Sequence, residues 1–369
     1  MTDPITMSSP DLDDSDKRAV LEALGSGVLG LGPAAGGFER IGAAVAGTSQ
    51  AVAVSSGTAG LHLIVRSLGL GQGDEILVPS FTFAASVNAF LFEGAEPIFV
   101  DIEADTYNLD PADLIARRST NTAAVMAVDV FGHPADWAAI EAAAPGLQLI
   151  DDCCEAIGAR FRGRPVGSFG RAGCFAFYPN KQMTTGEGGM IVTNDEDLAR
   201  LCRSLRNQGR SEMGGWLEHE RLGFNYRMDE MSAALGSSQI RRLDNFIVKR
   251  ALVADNYSRL LSGLDWVRPP VVRADVEMSW FVYVVTLAEG IDRDAVMKQL
   301  DAKGIPSRAY FTPLHLQPYI RDRFGDMRGL LPVTESIAPR TLALPFHNNL
   351  SREQAERVVE ALAASVELI

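Results

Sequence analysis

Seven short runs, each apolar almost from end to end, recur between helical stretches in the first half of the chain. They occupy residues 51–54, 76–78, 97–100, 123–128, 147–150, 173–177 and 190–193. A strand with one wet face alternates polar and apolar side chains. These runs do not alternate, so their sheet is expected to be covered on both faces. After the first run, Leu61, Ile64, Val65 and Leu68 fall at i, i+3, i+4 and i+7, a single helical stripe. Gly69, Gly71 and Gly73 then stop that helix. Strands alternating with helices predict an α/β fold around a mainly parallel central sheet with helices on both faces.

The texture changes further on. Residues 228–250 read as one long helix, with Met231, Ala234, Leu235, Ser238 and Leu243 on its less polar face. A strand follows at 280–287, a helix at 293–303, a helix end or strand at 337–344 and an amphipathic helix at 353–365. This predicts a large domain over residues 1–244 and a smaller C-terminal α+β domain over 245–369, with residues 1–25 able to pack on the smaller one. A chain of 369 residues is long enough for both.

Composition narrows the function classes. The net charge is −13, spread along the chain, and no basic stripe is present to neutralise phosphates, which argues against nucleic-acid binding. An anionic small substrate needs only local Arg or Lys. The first eighteen residues are polar and acidic, unlike a signal peptide, and no run of eighteen apolar residues suggests a membrane span. Cys153, Cys154, Cys174 and Cys202 read as reduced core thiols of a cytoplasmic protein, and no Cys-x-x-Cys pair suggests a metal.

Several strand ends carry chemistry. Ser55 to Gly60 joins the first run to the striped helix through small residues, where free backbone N–H groups and the helix dipole form an anion site; an ordinary capped turn is the plainer reading. No Gly-x-Gly-x-x-Gly or Gly-Lys-Ser/Thr motif points to a dinucleotide or a P-loop. Phe83, after the second run, is able to stack on a flat ring or simply pack in the core. Asp152 ends the fifth run, and Lys181 follows the sixth, beside the small-residue loop 184–189. Singly, these are most often a cap and a surface lysine. Together, an amine and a carboxylate at neighbouring strand ends suit pyridoxal phosphate: the amine forms an imine with its aldehyde, and the carboxylate keeps its ring nitrogen protonated.

The combined pattern resembles the DegT/DnrJ/EryC1/StrS family of fold-type-I sugar aminotransferases over almost the whole chain. The stretches that carry the resemblance are SSGTAGLHL (55–63), GDEILVPSFTFAASVNAF (73–90), PIFVDIEADTYNLDP (97–111), LIDDCCEAIGARFRGRPVGSFG (149–170), GCFAFYPNKQMTTGEGGMIVTND (173–195), RNQGR (206–210), LGFNYRMDEMSAALG (222–236) and YFTPLHLQP (310–318). The resemblance implies roles. Lys181 matches the Schiff-base lysine and proton shuttle, Asp152 the partner of the pyridine nitrogen, Phe83 the stacking ring, and Gly57, Thr58 and Ala59 the phosphate cradle. Asn225 matches a residue that reaches the phosphate of a neighbouring subunit, implying a homodimer with shared sites; Arg227 and His315 match positions near the substrate. Two positions depart from the family: Ala176 stands where Ser is common, and Glu155 where Gln or His is common.

The expected activity is transfer of an amino group from an amino acid, L-glutamate by resemblance, to a keto sugar linked to a nucleotide diphosphate. A cyclitol ketone as acceptor, a sugar dehydratase and a non-catalytic cofactor binder are the alternatives. Lys181 opposes the dehydratase, whose relatives carry histidine there, and the intact Lys181, Asp152 and Asn225 oppose the non-catalytic binder. His62, off the apolar stripe, is expected to face solvent; His133 sits in a loop read equally as a turn or as cofactor-adjacent. Trp216, in the polar loop after Arg210, is expected to cover the site or pack at a dimer contact.

Overall fold

The computed structural model describes residues 4–211, 215 and 217–368. Trp216 lies outside the described residues. Seven strands form the central sheet: β1 (Gln50–Val54), β2 (Glu75–Pro79), β3 (Glu96–Val100), β4 (Thr122–Val128), β5 (Gln148–Asp152), β6 (Ala172–Ala176) and β7 (Gly189–Thr193). Their spatial order is β1-β7-β6-β5-β4-β2-β3. β2, β3, β4, β5 and β6 pair in parallel, whereas β7 runs antiparallel to both β6 and β1. Six strands therefore point one way, and their C-terminal ends share one edge of the sheet.

Period-two geometry explains why the runs are apolar throughout. In β1, Ala51 and Ala53 enter one buried cluster with Phe38 and Ala46, while Val52 and Val54 enter another with Leu61 and Ile64. β2 and β4 divide in the same way: Leu77, Val125 and Ala127 face the first cluster, and Ile76, Val78, Ala124 and Met126 the second. Two hydrophobic faces on one sheet require helices on both sides. Pro33–Ala46 covers one face and Gly57–Ser67 the other.

The predicted single helix over 228–250 is two helices, Glu230–Ile240 and Leu243–Leu261. The break falls at Arg241 and Arg242, where the Arg242 N–H turns back to the Gln239 carbonyl at 2.9 Å. There the Arg242 guanidinium is bound by Asp13 at 2.8 Å and by Asp16, both in or capping the N-terminal helix Asp14–Gly25. The second helix runs on past 250 because Phe246, Arg250, Val253, Ala254, Tyr257 and Leu261 are buried at helical spacing.

Beyond that helix, Val267–Arg268, Tyr283–Leu287 and Thr341–Leu344 form an antiparallel three-stranded sheet. Tyr257, Tyr283, Leu344, Val358 and Leu362 share its core with Ile5 from the N-terminal segment. Burying one such side chain contributes roughly 1.5–3 kcal/mol, enough to hold the start of the chain against the C-terminal elements. The predicted strand at 280–287 begins only at Tyr283, because Trp280 takes a positive φ of 54°. Residues 337–344 hold both expected elements, the end of helix Pro332–Ile337 and then a strand.

Arg250 ties these parts together. It is 2% exposed, and its guanidinium donates only to neutral oxygens: Trp280 O (2.9 Å), Asn348 Oδ1 (3.0 Å), Phe281 O (3.2 Å) and Asn180 O (3.3 Å). Burial pulls it down to about 9. Arg250→Met keeps the volume but strands four acceptors. It should lower the free energy of unfolding by about 2–4 kcal/mol in urea denaturation, with Arg250→Lys recovering part of the loss.

Candidate active site

The parallel strands end around a cavity of about 500 Å³. Ser56, Gly57 and Thr58 enter it from the turn after β1, Phe83 and Ser86 from beyond β2, and Asp152, Cys154 and Glu155 from the end of β5. Ala176, Tyr178, Asn180 and Lys181 come from the end of β6, and Glu187 and Gly188 from the start of β7. Phe281, Tyr310 and Phe311 close it from the C-terminal part of the chain. A sheet of this kind collects ligands at the carboxyl ends of its strands.

Asp151 and Asp152 are adjacent in β5, so their side chains take opposite faces. Asp151 turns away from the cavity and accepts the Gly167 N–H at 2.7 Å, while Asp152 faces in. Asp152 is 4% exposed. Ser86 Oγ donates to Oδ2 at 2.6 Å, Thr82 braces Ser86 at 2.9 Å, and the Cys154 N–H reaches Oδ1 at 3.2 Å. Burial raises the Asp152 carboxyl above its ordinary value, against the pull of the Ser86 and Cys154 hydrogen bonds. A cation placed before it would restore its charge.

Lys181 begins a tight loop after β6, its N–H bonded to the Tyr178 carbonyl at 2.9 Å. Its amine projects into the cavity 3.5 Å from Glu155 Oε1 and 3.8 Å from the centre of the Phe281 ring. Glu155 is anchored by the Phe131 N–H on Oε2 at 2.9 Å. Burial raises its carboxyl, and the Lys181 charge pulls the other way.

Ser56 caps helix Gly57–Ser67, its hydroxyl accepting the Ala59 N–H at 3.1 Å. Ala59 is therefore a correction: its N–H is already spent, and it does not line the cavity. Gly57 and Thr58 do line it, at a helix N-terminus that favours an anion. A Cβ on Gly57 would meet the Ala176 Cβ at 2.8 Å and Cys154 Sγ at 3.0 Å, so only glycine lets the turn lie this deep. Phe83, 64% exposed, borders the cavity with its ring uncovered.

Three expected residues are not in this chain's own cavity. His315 is fully buried, with Nδ1 at 2.6 Å from Ser80 Oγ and Nε2 at 3.1 Å from Glu335, so both ring nitrogens are engaged outside the cavity. Asn225 is exposed and bridges to Asn207, and Arg227 donates to Asn207 Oδ1 at 3.0 Å. His62 does not face solvent. It is 4% exposed, bonded to Glu93 at 2.7 Å and Tyr226 at 3.2 Å, because a second helix face is covered by Phe92 and Phe224. His133 is buried and bonded to Pro134 O at 2.8 Å, outside the cavity.

Sequence reasoning missed Ser86, Asn180, Phe281, Tyr310 and Phe311 as site residues. Asn180 lines the cavity, and its Oδ1 is buried without a hydrogen-bond partner. Ser86, Tyr310 and Phe311 lie within the family-like stretches, but only folding shows which of their residues turn inward. All four cysteines are free; burial pushes the Cys153 thiol well up and Cys202 to about 12, and the hydrogen bond with Cys174, together with burial, pushes Cys154 well up. Among the described residues no cluster could hold a metal ion, and no helix is long and apolar enough to cross a membrane.

The donor set fits a phosphorylated pyridine aldehyde. An anion cradle, a facing aromatic ring, an amine and a buried carboxyl all border one space. Comparisons with known proteins agree. Residues 10–363 match the DegT/DnrJ/EryC1/StrS aminotransferase family. GDP-perosamine synthase of Caulobacter vibrioides is 38% identical over 366 residues, 97% of each chain. The dTDP-3-amino-3,4,6-trideoxy-alpha-D-glucose transaminase of Streptomyces venezuelae is 38% identical over 348 residues, 93% of this chain and 90% of that protein. The crystal structure of S. venezuelae DesV in complex with a ketimine intermediate superposes with a TM-score of 0.93 at 36% identity, covering 100% of both chains. The chain belongs to the DegT/DnrJ/EryC1/StrS aminotransferase family, enzymes that depend on pyridoxal phosphate.

Proposed function

We propose that this aminotransferase moves an amino group from L-glutamate to a keto sugar carried on a nucleotide diphosphate, in amino-sugar biosynthesis. The carrying observation is that the Lys181 amine and the Asp152 carboxyl face one cavity beside the cradle of Gly57 and Thr58. Relatives named for GDP- and dTDP-linked amino sugars support the acceptor class. When bound, pyridoxal phosphate supplies an aldehyde to be tethered and a ring that takes up electrons.

Each residue has a defined task in this reading. Gly57 and Thr58 present N–H groups to the phosphate. Asp152 holds a proton on the ring nitrogen, and Ser86 fixes the carboxyl that does so. Lys181 would hold the aldehyde through its amine and would move a proton to and from the reacting carbon. Phe83 would offer its ring face to the cofactor. Ala176 offers the phosphate no hydroxyl, so the half-buried Thr58 side chain is left to serve that side of the cradle. Phe281, Tyr310 and Phe311 exclude water. Free thiols suit the reducing cytoplasm.

The active unit in this reading is a homodimer. Phe83, Tyr178 and Leu222 are 64%, 52% and 76% exposed, with Phe83 and Tyr178 at the cavity rim, an apolar margin that a second copy would cover. Asn225 points out of its own subunit and is assigned to the neighbour's phosphate.

Lys181→Ala should abolish glutamate-dependent amination, losing at least the factor of order 10²–10⁴ that proton transfer contributes, while cofactor still binds without a covalent link. Borohydride reduction and peptide mapping of the wild type should place the label on Lys181; a label elsewhere refutes the assignment. Asp152→Ala should lose most activity in the same assay. Lys181→Ala and Asn225→Ala subunits, each inactive alone, should regain up to about a quarter of the active sites when mixed and re-equilibrated, because one site of each mixed dimer is intact. No recovery, with mixed dimers seen by native mass spectrometry, would rule out sharing.

A further inference from the structure

We propose that Glu155 is the resident counter-charge of the Lys181 nitrogen, keeping that nitrogen protonated after it has joined the cofactor. The proposal rests on Lys181 being the tether. It concerns the position where this chain carries a carboxylate and the family commonly carries an amide or imidazole.

The geometry commits the carboxylate to this task. Glu155 Oε1 lies 3.5 Å from Lys181 Nζ, and the two side chains are only 8% and 12% exposed. Oε2 is held by the Phe131 N–H at 2.9 Å, so the group cannot swing towards solvent. The backbone is tied down as well: Gln182 Nε2, on the residue after the lysine, donates to the Glu155 carbonyl at 2.6 Å and to Ser279 Oγ at 2.8 Å. The Phe281 ring presents its face to the ammonium at 3.8 Å.

The other ionisable groups around this pair do not replace it. The Asp152 oxygens are taken up by Ser86 and Cys154, and in the loaded enzyme that carboxyl serves the ring nitrogen. The Tyr310 phenol is pushed by burial up to about 12 and stays neutral. Glu187 is exposed at the rim, and among the described residues no arginine or histidine lines the cavity. Glu155 and Lys181 thus face each other as the one close pair of opposite-type groups lining the cavity among the described residues. Burial raises the Glu155 carboxyl, and the Lys181 charge and the Phe131 N–H pull the other way.

This has a consequence for the covalent step. When Lys181 condenses with the aldehyde, the aldehyde oxygen and two of the three ammonium hydrogens leave as water. The new carbon–nitrogen double bond keeps the third hydrogen and the positive charge. Losing that proton would leave a buried carboxylate without its cation, which is costly. Glu155 therefore resists deprotonation of the link, and a neutral amide at this position would not.

The test is spectroscopic. Wild type and Glu155→Gln are loaded with pyridoxal phosphate, and the visible absorbance of the protonated link is followed from neutral to alkaline pH. Removing the carboxylate should lower the pH at which that absorbance is lost by about 1–3 units, the usual effect of an opposite charge at this range. Equal midpoints in the two proteins would overturn the proposal. Absence of any link in the wild type would instead overturn the assignment of Lys181. If Glu155→Gln does not fold, Glu155→Asp carries the same test: it withdraws the charge by one methylene and should give a smaller downward shift, and an unchanged midpoint again overturns it.

Discussion

Charge buried at the end of a parallel sheet is the constraint around which this molecule is arranged. A carboxylate or ammonium taken out of water costs several kcal/mol unless another group compensates it. Asp152, the last residue of β5, and Glu155, three residues on, are both nearly inaccessible. The surroundings answer each of them separately. A hydroxyl and a backbone N–H hold Asp152; a backbone N–H and the Lys181 ammonium hold Glu155. Two carboxyls and one amine can share a cavity only because these partners are held rigidly from β2, β4 and β6.

That rigidity extends into the C-terminal elements. Phe281 faces the lysine amine, and its carbonyl is one of the acceptors of Arg250, which also binds the Asn180 carbonyl just ahead of Lys181. One buried guanidinium therefore links the long helix Leu243–Leu261 to the loop that carries the reactive amine. The roof of the site and its floor are packed as one body, so displacement of the C-terminal sheet is felt at the chemistry.

The sequence made the seven strands and the strand-end residues legible because their signals are local. A run that is apolar on both faces belongs in a covered sheet, and the residue after such a run lies at the sheet edge. Glycine at 57 was legible as part of a small-residue turn between a strand and a helix, and the structure adds that its close contact with Ala176 and Cys154 leaves no space for a side chain. The misreadings come from contacts distant in sequence. The helix over 228–250 breaks where Arg242 is drawn to Asp13 and Asp16, more than two hundred residues earlier. His62 is buried because Glu93, Phe92 and Phe224 cover a face that periodicity marks as polar. His315 looked available until Ser80 and Glu335 took both its nitrogens.

The sequence alone determined the class of fold and brought an amine and a carboxylate to neighbouring strand ends, since each follows from residue type at a strand end. Only the tertiary structure decided which of Asp151 and Asp152 faces the ligand, that Ala59 has no free N–H, and that Glu155 lies against the reactive amine. Those outcomes depend on the pleat direction and on distances between β4, β5 and β6, which are set when the sheet closes and are encoded in no single stretch of chain.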